Sequence, residues 1–370
     1  MEQLVKALLI DDFWIMPPTP QYIKVGIPYI TSKNIKNGEI DFNKVNYISQ
    51  EAYENISKKR PILVGDILIS MIGTLGETAV VKETDGIFYG QNMFLIRLDE
   101  KKINKKYFLY YFKSNTVKQI LEGKRNQSTQ KYLKANHIED LAIPTPSLEK
   151  QRRIVELLDK IASIILLRKN EIKKLDEFIN ARFVEMFGDT KLAINKWGGK
   201  PFKEVTINLD SKRKPVKDAD RKKMQGEYPY YGATGIVDYV NDYRQEGIFL
   251  LISEDGKALE FRNKPIAFIA AGKIWVNNHA HVQQCTDECN MIYLMYLINL
   301  MDISQWVTGI DQKKLNRENL DSIPIALPPI ELQNQFEILV TQVDKSKEEV
   351  QKSLDEAQFL FDSLMQQYFG

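Results

Sequence analysis

The sequence predicts an α+β chain in which two similar mixed α/β domains are separated by two long α-helices that pair as an antiparallel coiled coil. Three observations carry this. Displaced by 182 positions, Gln130–Gly188 falls without a gap on Gln312–Gly370, and Gln130, Lys131, Leu133, Ile143, Pro146, Glu149, Gln151, Leu157, Phe187 and Gly188 meet their own residue types. A match of that length is an internal duplication. In each copy a proline-containing stop (Pro144–Pro146, Pro324–Pro329) precedes about forty residues without Gly or Pro, long for a globular helix. Both runs carry a heptad: Leu158, Ile165, Ile172, Ile179 and Met186 at a, with Ile154, Ile161, Arg168, Leu175 and Arg182 at d. The same phase places Val340, Lys347, Leu354, Phe361 and Tyr368 at a, and Phe336, Val343, Val350, Ala357 and Leu364 at d. Such a seam signals a coiled coil; the alternative is two amphipathic helices on separate cores. Two matched helices divided by a whole domain pair most simply antiparallel, with Arg168 opposite Val350 and Lys347 near Glu171.

Residues 1–143 form the first domain and 144–188 its spacer helix; residues 189–323 form the second domain and 324–370 the second spacer. At the amino end Met1–Ile10 reads as a short helix, and Phe13–Pro20 (FWIMPPTP) as loop, because proline cannot continue a helix. Gly26–Ile30, Ile62–Met71 and Phe94–Leu98 read as strands punctuated by glycines. Asn104–Phe112 opens an aromatic-rich helix reaching Leu121, and the polar, basic Gly123–Lys134 follows. The second domain repeats this order: Tyr228–Gly232 echoes Ile27–Thr31, Gly247–Ser253 echoes Gly65–Ser70, and Ile292–Ile298 echoes the aromatic helix. The loops between these anchors do not match. An invariant framework with divergent loops is what two modules reading two different things would show. The second domain opens on Trp197–Val205 (WGGKPFKEV), to which residues 1–13 show no counterpart.

With 370 residues, 44% hydrophobic and 27% charged, the chain has room for two cores, and its net charge of +2 leaves polyanion binding to local patches. Cys285 and Cys289 give no disulfide framework and point to a reducing compartment. Met291–Met301 is too short to span a bilayer, and Met1–Ile10 lacks the pattern of a signal peptide. A cytoplasmic location without membrane contact is expected.

Enzyme motifs are missing. There is no GxxxxGK followed by Ser or Thr. Pro17-Pro18 and Pro328-Pro329 follow Met16 and Leu327, where an amino-methyltransferase would need Asn or Asp. An acid–lysine set of Asp255, Glu260 and Lys264 is of a kind that polar strand ends supply often. His279, His281, Cys285 and Cys289 are zinc-type ligands, but H-x-H-x3-C-x3-C is not a common structural-zinc spacing; hydrogen-bonding histidines at a polar surface fit better. No metal or cofactor is expected on this chain.

The positive signal is for nucleic acid. Ser211–Lys223 holds Lys212, Arg213, Lys214, Lys217, Arg221, Lys222 and Lys223 against Asp218 and Asp220, a patch suited to phosphate. Gly123–Lys134 supplies Lys124, Arg125, Lys131 and Lys134 beside Asn126, Gln127 and Gln130; Asn and Gln can bond adenine edges and Arg or Lys guanine. Each loop taken alone also reads as a solvated polar surface. The aromatic ends of the helices, Phe183 and Phe187 on one and Tyr368 and Phe369 on the other, offer more apolar surface than a two-helix rod buries, and such patches mark partner sites.

Taken together, Pro144–Gln151 (PTPSLEKQ), Arg153–Asp159, Leu327–Gln335 (LPPIELQNQ), Gly226–Tyr239 (GEYPYYGATGIVDY), Ile252–Lys257 (ISEDGK), Gly272–His281 (GKIWVNNHAH), Gly65–Gly76 and Ser128–Leu133 resemble the specificity subunits of type I restriction–modification systems, over essentially the whole chain. The resemblance implies two target-recognition domains, each reading one half of a split, asymmetric site on double-stranded DNA. It implies partners too: two adenine methyltransferase subunits holding S-adenosylmethionine, and restriction/translocase subunits using Mg and ATP, with no catalysis by this chain. The implied DNA-contacting residues are Lys33, Asn34, Gln91, Asn92, Lys124, Arg125, Asn126, Gln127, Ser128, Gln130 and Lys131 in the first domain. In the second they are Lys212, Arg213, Lys214, Tyr231, Thr234, Lys257, Lys273, Asn278, His279, His281, Gln312, Lys313 and Lys314. Phe183, Phe187, Tyr368 and Phe369 are the implied methyltransferase-docking residues. Two rivals remain: a coiled-coil scaffold for protein partners, and a DNA-binding specificity module of a related methyltransferase system without restriction.

Overall fold

The computed structural model describes residues 2–10, 14–16, 21–72, 76–126 and 133–370. The chain divides into two compact units, the first made of Met1–Leu167 with Ser353–Gly370 and the second of Arg168–Lys352. The division falls within the two long helices, Leu148–Phe187 and Ile330–Phe369, each of 40 residues. In the first unit the start of one helix packs with the end of the other: Ile154, Val155, Leu158 and Phe369 share one core. In the second unit the end of the first helix packs with the start of the second, through Ile179, Phe183, Phe187, Phe336 and Val340. The helices are therefore antiparallel in both, and every a and d position of the heptad is buried or half-buried. The register lies close to expectation, but Lys347 meets Asp176 at 2.7 Å instead of Glu171, which pairs within its own helix with Arg168.

The aromatic helix ends are not exposed. Phe183, Phe187 and Phe369 have at most 2% of their surface accessible. Phe187 stands edge-on to Tyr293 at 4.7 Å and Phe369 to Tyr107 at 5.0 Å, while Tyr368 packs half-buried against the first core. The expectation of an outward docking surface at these residues is corrected: the aromatic helices Lys105–Lys113 and Met291–Leu300 bury that apolar area within each unit.

The second unit is built on a six-stranded sheet, ordered Thr206–Asn208, Ala280–Cys285, Gln245–Ser253, Ala267–Val276, Gln225–Gly232 and Gly235–Val240. Alternation along Gln245–Ser253 turns Leu250 and Ile252 toward the helices and Phe249 and Leu251 to a second core. Gly247 and Gly272 face each other across the ladder, both with positive φ, so both strands can bend at the same level.

The first unit uses shorter strands in the same roles. Ile67–Ser70 pairs with Met93–Ile96 and Thr78–Val80, and Trp14–Ile15 joins the edge; part of the FWIMPPTP segment is thus strand. The residues before Ile67 are a turn rather than strand: Asp66 N–H donates back to Leu63 O at 3.0 Å and its carboxylate accepts the Leu63 N–H at 2.8 Å, while the same carboxylate receives Arg97 at 2.7 Å and 2.8 Å. The helix expected from Asn104 to Leu121 breaks at Ser114, which takes an extended ψ of 155° and caps the next helix, Asn115–Asn126, through Val117.

The amino end departs furthest from expectation. Glu2–Leu4 is a strand, antiparallel to Ala142–Pro144, with Leu4 opposite Ala142. Gly199–Pro201 pairs with Pro324–Ala326 in the same register, Pro201 opposite Pro324. The next residues agree as well: Val5 N–H donates to Leu141 O at 2.9 Å and Phe202 N–H to Ile323 O at 2.8 Å. Glu2–Leu8 is therefore the counterpart of Gly199–Val205. All three paired residues differ in type, Glu2, Gln3 and Leu4 against Gly199, Lys200 and Pro201, so pairing carries the likeness and side-chain identity does not.

Candidate nucleic-acid interface

In the second unit four segments meet at one rim of the sheet. Tyr230 and Tyr231 run parallel to Trp275 and Val276, and Asn277 N–H donates to Tyr231 O at 3.1 Å. Asn277 turns the chain by accepting the His279 N–H at 2.7 Å. Glu254 N–H then donates to His279 O, Leu315 N–H to Glu254 O, and Gly256 N–H to Lys313 O. Ser253 Oγ closes the ring by donating to Ala233 O. Residues 231–234, 253–257, 277–281 and 312–315 thus form one ridge, from which Thr234, Lys257, Asn278, His279, Gln312 and Lys314 face solvent and Lys313 is half-exposed.

A buried ion network supports the ridge. His281, 1% exposed, directs Nδ1 to Asp210 at 2.7 Å and Nε2 to Leu315 O at 2.9 Å. Arg213 donates to Glu254 at 2.6 Å and to Ala280 O at 3.0 Å, and Lys314 reaches Glu254 at 3.1 Å. Burial works to raise the carboxyl pKa values of Asp210 and Glu254, but His281 and Arg213 outweigh it and hold both below the usual range. His281 and Arg213 are therefore corrected from DNA contacts to supports, since their polar atoms face the interior. Tyr231 is likewise buried, stacked on Phe268 at 6.1 Å.

The basic run Ser211–Lys223 is weaker than its composition. Arg221 is held by Asp238 at 2.7 Å and Asp218 at 2.8 Å, and Lys222 by Asp218 at 3.0 Å. Lys212 and Lys214 remain exposed, and Lys214 is fixed beside the ridge because its N–H donates to Val276 O and its carbonyl accepts Trp275 Nε1 at 2.7 Å. Lys273 lies over the Tyr243 ring at 4.8 Å, back along the strand from the ridge. His279 meets Asp255 at 2.8 Å. Among the described residues no group of three or more His, Cys, Asp or Glu could hold a metal ion.

The first unit repeats the framework. Tyr29 and Ile30 run parallel to Tyr89 and Gly90, Gln91 N–H donates to Ile30 O at 3.1 Å, Met71 N–H to Asn92 O, and Leu133 N–H to Met71 O. Gln91 thus holds the place of Asn277, and Asn92, whose carbonyl accepts the Met71 N–H as that of His279 accepts the Glu254 N–H, holds the place of His279. Asn92 is exposed with φ of 59°, a conformation asparagine tolerates, and Gln91 Nε2 donates to Tyr22 Oη at 3.2 Å. Lys33 is exposed. Asn34 is corrected: its amide is buried, accepting Thr31 N–H at 2.9 Å and donating to Asp41 O and Lys44 O. Lys124, Arg125 and Asn126 end the helix Asn115–Asn126, and Gln127, Ser128, Gln130 and Lys131 lie outside the described residues. The segments 253–257 and 312–315 were readable as motifs, but their meeting was not. It depends on main-chain bonds that leave no residue-type signal.

Two modules of one framework, each ending in a polar ridge, define a duplicated recognition protein. The profile of the type I restriction modification DNA specificity domain matches residues 19–177 and again 195–357, and the chain belongs to that family. It is 24% identical over 369 residues to a putative MjaX specificity subunit of Methanocaldococcus jannaschii, covering 89% of this chain and 85% of the relative. It is 39% identical over 137 residues to a putative specificity subunit S.HindORF215P of Haemophilus influenzae, a match spanning 37% of this chain and 34% of that relative. Two solved structures share the fold at 14% identity and cover 100% of this chain. One comes from work on assembly and conformational transition of the type I R-M system, with a TM-score of 0.59 over 97% of that chain. The other is the S subunit from M. genitalium, with a TM-score of 0.56 over 96%.

Proposed function

We propose that this chain reads double-stranded DNA as the specificity subunit of a type I restriction–modification complex. Residues 1–143 read one half of a bipartite, asymmetric site and residues 189–323 the other, while 144–188 and 324–370 are the spacers. The observation that carries this is the ridge built twice on one framework, Gln91 and Asn92 in one unit and Asn277 and His279 in the other, with different side chains around them. Exposed lysines would take phosphates and the Asn and Gln amides base edges. Chemistry is left to partners: S-adenosylmethionine to two methyltransferase subunits, Mg and ATP to restriction/translocase subunits. Methyltransferase docking is moved from the buried aromatics to exposed apolar residues of the spacers, among them Leu157, Ile164 and Phe359 in the first unit.

The test is Lys214→Ala with Lys257→Ala in the assembled complex. Neither lysine makes an ion pair within the chain among the described residues, so loss of two phosphate contacts should lower the salt slope of DNA binding by about 2. Mapped methylation should fall wherever the second half-site is present. An unchanged slope with unchanged methylation would refute the assignment of this ridge to DNA.

A further inference from the structure

Near the start of each long helix lies a glutamine with no accessible surface, Gln151 in one unit and Gln333 in the other. A buried amide is costly unless its oxygen and both N–H groups find partners. The two satisfy themselves in the same way. Gln151 Oε1 accepts the Asn104 N–H at 2.8 Å, and Nε2 donates to Pro146 O at 2.9 Å and Lys102 O at 3.3 Å. Gln333 Oε1 accepts the Asn290 N–H at 2.8 Å, and Nε2 donates to Pro328 O at 2.8 Å and Glu288 O at 3.2 Å. Each amide thus ties the start of a spacer helix to the turn before an aromatic helix.

From that turn the connection continues inward. Asn104 caps its helix through Tyr107 N–H, and Asn290 caps its own through Ile292 and Tyr293. Tyr107 returns a bond to Pro144 O and Tyr293 to Ala326 O. In the second unit the far end of the helix is bolted to the sheet: Asn299 Oδ1 accepts Ile266 and Ala267 N–H, and its Nδ2 donates to Ala267 O at 2.7 Å. Ala267 begins the strand that ends at Val276, beside the ridge.

We propose that Gln151 and Gln333 are positioning residues, each fixing the attitude of its reading ridge on the spacer helix of the same unit. For DNA selection this rests on the reading given above. It implies that loosening one glutamine blurs one half-site and spares the other.

The experiment uses the full chain assembled with its methyltransferase. Gln333→Met keeps the length and removes all three bonds. Amide exchange across 287–291 should quicken about tenfold, the effect of an unmade buried bond, while 101–105 stays protected; Gln151→Met should do the reverse. Gln333→Glu adds a pH readout. Its carboxylate would face the Pro328 and Glu288 carbonyls, which raises its folded pKa, and only the protonated form can donate. Selective DNA binding should therefore be best near pH 5 and decline toward about pH 8, whereas Gln333→Met and the wild type stay flat. The proposal is overturned if exchange rises uniformly across the chain or if Gln333→Glu follows the wild type at every pH. Should the wild type itself fail to discriminate a bipartite site, the DNA reading falls, and the exchange data alone still decide the role of the glutamines.

Discussion

Asp210 is held between opposing effects, since burial favours its neutral form while His281, the Val282 N–H and Arg213 favour the charge. The charged partners win, so its folded pKa lies below the unfolded value. Its contribution to stability is then present above about pH 4 and lost as pH falls through the folded value. Glu254 adds in the same direction. Asp210→Asn should cost about 3 kcal/mol at neutral pH, because it leaves buried cations short of a partner, and should flatten the acid limb of the stability curve. Denaturant titrations of both proteins between neutral and acid pH check this; parallel curves would mean that Asp210 is not the group responsible. The exposed Lys257 and Asn278 should tolerate substitution without loss of stability, which separates support from reading surface.

The two long helices were the most legible elements. Their heptads, length and proline stops are local signals, and the structure leaves every seam position buried or half-buried. What the sequence could not supply was the competition for the aromatic ends. Phe183, Phe187 and Phe369 look surplus to a two-helix seam until the Tyr293 and Tyr107 helices are seen to cover them. The opening strand Glu2–Leu4 was missed for a related reason: a three-residue edge strand is specified by its partner, and no periodicity can emerge in three residues. Lys347 tests the seam itself. Burial disfavours its charge, but Asp176 and Asp344 overcome that and raise its pKa, so its contribution is full below the usual lysine value and is lost only at higher pH. At neutral pH Lys347→Leu should be neutral or stabilising by about 1 kcal/mol, since an apolar residue completes the seam. Asp176→Asn should cost about 0.5 kcal/mol, the value of a largely exposed pair. A larger loss from Lys347→Leu than from Asp176→Asn, measured by urea unfolding, would count against this view of the seam.

At the scale of the molecule the duplication makes parts interchangeable. Residues 5–141 and 202–323 begin and end at matching hydrogen bonds, Val5 to Leu141 and Phe202 to Ile323. Replacing 5–141 by 202–323 should give a folded chain that reads the second half-site sequence at both halves, with methylation sequencing as the readout. A folded hybrid that kept the original first half-site would contradict the division of labour proposed here.

The pairing of Glu2–Leu4 with Ala142–Pro144, and of Gly199–Pro201 with Pro324–Ala326, brings the entry and exit of each unit side by side, about 5 Å apart across an antiparallel ladder. A reading unit is therefore a cartridge with both contacts on one edge. For inheritance this makes the gene divisible at those edges. A recombination event that replaces everything between them hands the lineage a new DNA address in a single step, while the two long helices are left as they were.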